Sequence, residues 1–498
     1  ATQQLKETFK DPNIVPGLCQ VLGSSKSPEV LGSSQSPEVR KQIVPGLCQT
    51  LGSSQSYEFR IQILCQDFVS KTPRNSIAEV IAMVAKHDIP NNQWPQLFTF
   101  IQTYTKSQNP AEREVGMSLL NSVSSAAGEQ LKPHLASLLQ LLAEVIQDKE
   151  NRMVPFYAIR SITELIFYIG DDEVRYIQGI VPTVLHVIKE FIPVDEGQAC
   201  SLMEVFDEML ECEVSIIAPH IKTVVEFSLE VASNTELGDN VRVKAMSFIA
   251  SLIKMKKKAF LKHKLVDTVL SVLFPIICDS EDLDEEEEEA LGDNESERPA
   301  QYAPQVIDMM ALHLPPDKLI PNVVGYYCTV DIQSMIDVDM MKMVEPHMSS
   351  EKASHRRATY ICLAVVAEGC ADYITNRHLQ AVLHCVVTGL NDPDHTVRNA
   401  ALFALGQFSE HLQPDISKFA SELLPLIFNY VNKAAQEAEK NPKGLTRSYY
   451  ALEMFCESLE KEILPYLPQL MEHMLRILRS APTARPKELA ISAIGATG

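Results

Sequence analysis

Residues 403–412, FALGQFSEHL, and residues 450–459, YALEMFCESL, decide how this chain folds. Laid over each other, Ala404 meets Ala451, Leu405 meets Leu452 and Phe408 meets Phe455. Within each stretch the apolar positions recur three and four residues apart, the spacing of one helical face. A third match, Ala493 in AISAIGATG, follows after a similar interval. Ahead of each segment runs another apolar helix: ITNRHLQAVLHCVVTGL (374–390), FASELLPLIFNYVNKA (419–434) and LPYLPQLMEHMLRILRS (464–480). The repeating unit is therefore a helix, a short turn and a second helix. In NDPDHTVR (391–398), Asp and Pro stand where one helix must stop and the next begin.

The same unit, read towards the N-terminus, predicts second helices starting near Ala353, Gln301, Asp239, Gly197, Val154 and Ala111. A period of roughly 40–47 residues belongs to helical-hairpin solenoids. One hairpin cannot bury its own apolar face, so hairpins must stack. Ala358, Ala400, Ala404 and Ala451 are small enough to let neighbouring second helices approach closely. The expected fold is all-α: a right-handed α–α superhelix of the HEAT or armadillo type, with about nine to ten hairpins. Residues 1–90 are expected to form irregular helical repeats, and residues 91–278 and 300–498 regular HEAT repeats, the last hairpin being cut short. Residues 279–299 are expected to form an acidic, disordered loop. Within the first segment VPGLCQ stands at 15–20 and again at 44–49, too close for the hairpin period, which reads as a local duplication. GYYCTVDIQSMIDVDMM (325–341) lengthens one hairpin and lacks helical periodicity.

Composition narrows the function. A chain of 498 residues is too long for one core. Nineteen glycines and one tryptophan favour helix over sheet, and 29 prolines suit many short helices. The net charge is −21, and residues 279–297 hold twelve acids and no base. That balance argues against nucleic acid or an anionic membrane and for basic partners. Eleven cysteines lack CxxC or metal-ligand spacing, and Cys362, Cys385 and Cys456 sit in apolar runs, which fits a reducing compartment. Asn294 opens a lone glycosylation sequon inside the acidic run. The apolar run around Leu265–Cys278 is too short to span a bilayer. There is no GxxxxGK[ST], GxSxG or HExxH, and GSSKS (23–27) is too short for a phosphate loop, so no enzyme and no cofactor is expected.

Two sets of carboxylates are candidates for binding. Asp279, Glu281, Asp282, Asp284, Glu285, Glu286, Glu287, Glu288, Glu289 and Asp293 make a local negative field. A solvated linker is the competing reading of such a block. Glu204, Asp207, Glu208 and Glu211 fall at i, i+3, i+4 and i+7, on one face of a second helix, with Glu213 at its end. A concave face there would receive a basic peptide, and a convex one would be solvated surface. Glu410, Glu453 and Glu457 are weaker candidates of the same kind. KMKKKAFLKHK (254–264) reads as a solvated helix end, with Phe260, Leu261 and Leu265 continuing into the next helix and pairing of the lysines with the acidic loop as a further reading. Trp94 reads as a packing anchor, and Arg356, Arg357 and Arg398 as bonds between repeats.

NNQWPQLF (91–98), FIPVDEGQACSLMEVFDEMLECEVSIIAPHI (191–221), VIDMMALHLPPDKLIP (306–321), DPDHTVRNAALFALGQFSEHLQP (392–414) and YLPQLMEHMLRILR (466–479) resemble the importin-β family of karyopherins. The resemblance covers most of 91–498. It implies a nuclear transport receptor that binds basic protein cargo such as histones or ribosomal proteins. Such a receptor meets the phenylalanine-glycine nucleoporins of the pore, releases cargo to RanGTP, and shuttles between cytoplasm and nucleus. It also implies a chain about twice this length, so that this sequence is an N-terminal half. The family's Ran-holding N-terminal hairpins usually contain an arginine-rich second helix, where this chain has only Arg40, Lys41 and Arg60. A static HEAT scaffold and a histone chaperone are the alternative functions.

Overall fold

The computed structural model describes residues 95–212, 214–279, 298–325 and 350–496, and positions 78, 81, 82, 85, 86, 89 and 90. The duplicated N-terminal segment, Trp94, Glu213, the run 280–297 and the insert from 326 to 349 lie outside the described residues. Among the described residues every regular element is a helix.

The chain divides into two compact units, one up to His220 and one from Ile221. In the first, α1 (Pro95–Thr105) pairs with α2 (Pro110–Leu131), α3 (Leu135–Val145) with α4 (Met153–Leu165), and α5 (Val174–Phe191) with α6 (Glu196–Glu211). The second begins with α7 (Ile221–Ser233), α8 (Asp239–Lys262), α9 (Val266–Cys278), α10 (Pro299–His313) and α11 (Pro316–Gly325). It continues through α12 (Ala353–Val365), α13 (Ala371–Arg377), α14 (Leu379–Leu390) and α15 (His395–His411). The last two hairpins are α16 (Ala420–Gln436) with α17 (Pro442–Leu459), and α18 (Leu467–Ser480) with α19 (Ala484–Ala496). The expected second-helix starts match α2, α4, α6, α8, α10 and α12 to within two residues. The fold is thus all-α and built of HEAT-type hairpins, as the period predicts.

The starts are legible because the capping chemistry is local. Asn109 accepts from the Ala111 amide at 3.1 Å, Asp195 from Gln198 at 2.9 Å and Asp394 from Thr396 at 2.8 Å. Each side chain satisfies an amide that the first helical turn leaves unpaired. Two features differ from expectation. The apolar run 374–390 is broken at His378 into α13 and α14. The lysine run does not end a helix at its start. Instead α8 continues to Lys262 with non-helical dihedrals only at Lys256, and Phe260, the expected opener of the next helix, is fully buried.

Second helices stack on second helices within each unit: α2 on α4 and α4 on α6 in the first, α12 on α15 and α15 on α17 in the second. Large side chains fill these seams, among them Phe206, Tyr360, Phe408 and Phe455. Cys362, Cys385 and Cys456 are buried free thiols, and burial, with Glu453 and Glu457 nearby, pushes the Cys456 thiol up to about 12. At Gly369 the chains come so close that a Cβ would collide with the Ala311 backbone.

An arginine at the start of the second helix locks one repeat to the next. Arg113 donates to the Ser107 carbonyl at 3.0 Å, to Asp148 at 2.5 Å and to Glu150 at 2.7 Å. Arg356 repeats the arrangement, donating to the Ser350 carbonyl at 2.6 Å and forking onto both Asp392 oxygens at 2.7 and 2.9 Å. Arg398 in turn donates to the carbonyls of Asp392 and Pro393 at 2.9 and 2.8 Å. Each planar fork thereby holds its own turn, and Arg113 and Arg356 reach the next turn as well. The reading of Arg356 and Arg398 as structural arginines agrees with this geometry. Arg357 is buried and donates to the Ile277 carbonyl at 3.4 Å.

Burial alone would raise the Asp392 pKa, but the hydrogen bond from Arg356 and the Asp394 amide outweigh it and lower it. The lowered value means that the clamp contributes fully above about pH 4 and is lost as pH falls through the folded-state pKa. Both side chains are nearly buried, so breaking the pair costs about 3 kcal/mol. Arg356→Met is expected to speed amide exchange around the 391–394 turn by about a hundredfold at pH 7. The difference from wild type should shrink as pH falls below about 4. Gly369→Ala should destabilise the α10 contact by about 1–3 kcal/mol, read as loss of exchange protection in α10.

Candidate functional site

The predicted acidic face exists, and stacking enlarges it. Apolar positions of α6 (Leu202, Met203, Val205, Phe206, Met209 and Leu210) are buried, which turns Glu204, Asp207 and Glu208 to a half-buried surface and leaves Glu211 exposed. From α4, the preceding second helix, Glu164 faces the same cluster, since its charge helps raise the Glu208 pKa. Burial is the largest cause of that rise, followed by Glu211, Asp207, Glu164 and Glu204. Arg160, also on α4, makes an ion pair with Glu204 and donates to the Ser201 carbonyl at 3.1 Å. Four neighbouring carboxylates therefore act on Glu208, while Arg160 pairs with Glu204.

Sequence reading missed Glu164 and Arg160 because it took one helix at a time. Glu164 stands one helical repeat before Asp207, so the hairpin period carried the signal. The acidic run is not brought into this account by the structure. Of its residues only Asp279 is described, at the C-cap of α9.

The second unit carries smaller acidic sites on second helices. On α10, burial raises the Asp308 pKa, Glu368 adds to the rise, and His411 and His313 oppose it. Glu453 on α17 is raised by burial and by Glu457. Glu410 on α15 accepts from the Tyr450 hydroxyl at 3.2 Å, and Tyr450 accepts from Gln407 at 2.5 Å. Arg447 lies over the Phe403 ring at 4.4 Å, an aromatic–cation contact beside the same tyrosine. Among the described residues no helix is long and apolar enough to cross a membrane, and no His, Cys, Asp and Glu cluster could hold a metal.

A different surface lies between the first helices α1 and α3. Phe98, Ile101, Leu138 and Leu141 line a groove of about 480 Å³, rimmed by Lys106, His134 and Glu144. Lys106 and Glu144 pair at its rim at 3.3 Å. Its mix of apolar floor and polar rim is that of a small-ligand or side-chain pocket.

A family model described as "IPO5-like, TPR repeats" matches residues 69–227, and one described as "HEAT-like repeat" matches 353–408. Importin-4 of Mus musculus is 37% identical over 439 residues, 86% of this chain and 39% of that protein. Importin-4 of Homo sapiens is 36% identical over 508 residues, 100% of this chain and 45% of that protein. Among solved structures, Kap121p bound to Pho4p superposes with a TM-score of 0.75 at 20% identity, covering 100% of this chain and 47% of that one. Kap121p bound to RanGTP gives 0.70 at 20% identity, over 99% and 49%. The chain spans less than half the length of these relatives.

The raised Glu208 pKa has a stability consequence. Its ionised form is disfavoured in the folded unit, so the fold carries a cost at neutral pH that disappears once the group is protonated in both states. Glu208→Gln should therefore stabilise the α4–α6 stack at pH 7 and have little effect near pH 4. Amide exchange of α6 at the two pH values checks this. Equal protection in mutant and wild type at pH 7 would contradict it.

Proposed function

We propose that this chain, which belongs to the importin-β family of karyopherins, is part of a nuclear transport receptor. It binds basic protein cargo in the cytoplasm, passes the nuclear pore and gives the cargo up to RanGTP. The carrying observation is the α4–α6 face, where burial and the neighbouring Glu211, Asp207, Glu164 and Glu204 raise the Glu208 pKa. A Lys- or Arg-rich segment laid over it replaces mutual repulsion by charge-assisted hydrogen bonds. Histones and ribosomal proteins have that chemistry. Asp279, Glu281, Asp282, Asp284, Glu285–Glu289 and Asp293 belong to the same reading, as a block of negative charge that speeds encounter with cargo or Ran. Binding, with no bond made or broken, is the whole activity, and no cofactor takes part.

The groove between α1 and α3 supports a second contact. Its floor of Phe98, Ile101, Leu138 and Leu141 has the volume and polarity to take one phenylalanine ring. Phenylalanine-glycine nucleoporins offer such rings at low affinity per site. Leu141→Asp should lower binding of a Phe-Gly repeat peptide at least about threefold, read by NMR titration of the full chain.

The main test is a titration of a labelled histone tail against the full chain by fluorescence anisotropy. Asp207→Asn with Glu208→Gln and Glu211→Gln should weaken binding at least tenfold, about 1.4 kcal/mol. Glu204 is kept so that Arg160 stays paired. RanGTP should displace the tail where RanGDP does not. Unchanged affinity in the triple variant would sink the cargo reading, and tail binding indifferent to RanGTP would favour a static scaffold.

A further inference from the structure

The strongest positive feature of this acidic chain is the C-terminal part of α8. Lys254, Lys257, Lys258, Lys262 and Lys264 are exposed, and Lys256 is half-buried at the kink. None of the six forms an ion pair among the described residues. Lys254, Lys258 and Lys262 follow at four-residue steps on one face, where like charges repel. The helix dipole favours only the lysines of the last turn. The rest of the face is uncompensated.

We propose that this lysine face is the docking surface for the chain's own acidic run, residues 279–297. Charge complementarity selects it: six lysines stand against twelve carboxylates and no base. Covalent connection makes it local. The run leaves the end of α9 at Asp279 and returns at Arg298 to α10, which packs along α8. The helix α9 is about 20 Å long. The stretch between Asp279 and Arg298 has a contour on the order of 60 Å. Its middle therefore reaches the lysines without any helix moving, and the tether gives a high effective concentration. Nucleic acid fits less well. The run 254–264 offers Phe260 as its one aromatic ring, and that ring is buried. A chain of net charge −21 also repels a long polyanion. A basic cargo and the lysine face then compete for the same carboxylates, so only a cargo richer in positive charge than the face recruits the run.

Zero-length carbodiimide coupling of the full, dilute chain, followed by peptide mass spectrometry, tests the contact without reference to cargo. Lys254, Lys257, Lys258 or Lys262 should be joined to Asp or Glu of 279–297 within one molecule. The Lys106–Glu144 pair serves as internal control. Coupling should fall at least about tenfold near 1 M salt, where the Debye length is about 3 Å. Replacing Lys254, Lys257, Lys258 and Lys262 by glutamate should abolish it while the control link persists. Three results overturn the proposal: the control forms but these lysines stay unlinked; they link only to a second copy; or a single-stranded RNA binds the full chain in a manner that needs these lysines.

Discussion

A hairpin of two amphipathic helices leaves one apolar face in water, and everything else in this molecule follows from burying that face on the next hairpin. Second helices stack because their seams carry alanines and glycines beside Phe206, Tyr360, Phe408 and Phe455. Arg113 and Arg356 then fix the turn-to-turn spacing by bonding to their own turn and to an aspartate in the next. What remains outside the seams is one column of solvent-facing positions per second helix. On α4 and α6 those positions include Glu164, Glu204, Asp207, Glu208 and Glu211, which stacking brings together. The α4–α6 cluster is a property of two hairpins together and of neither alone.

This explains what could be read from the sequence. The fold was legible from FALGQFSEHL against YALEMFCESL, because apolar spacing and capping residues act within one helix. Glu204, Asp207, Glu208 and Glu211 were legible for the same reason. Glu164 and Arg160 were not, since they join the site only through inter-helix contact. The end of the lysine helix was misread because lysine is a good helix former and gives no stop signal. Phe260, taken as the opening of the next helix, lies within α8 and is buried. His378 breaks a run that hydrophobic periodicity alone carries straight through.

Charge is distributed so that function and stability pull apart. Glu208, Asp308 and Glu453 are all pushed towards the neutral form by burial and by neighbouring acids. Burial would raise Asp148 and Asp392 at the turns, but the arginines and backbone amides bonded to them together outweigh it and pull them the other way. The turn carboxylates Asp148 and Asp392 are paired with arginines, while Glu208 and Glu453 on second-helix faces feel the repulsion of neighbouring acids. On the proposed reading a basic partner relieves that repulsion, so that binding is favoured at the cost of a less stable free chain.

The central claim is that two stacked hairpins create the negative field, and titration of the Glu208 side chain measures it most directly. Carboxyl-detected NMR of the full chain should place its pKa above the usual glutamate value, and Glu164→Gln, on the other hairpin, should bring it down. An ordinary value in the wild type, or no response to Glu164→Gln, would contradict the account.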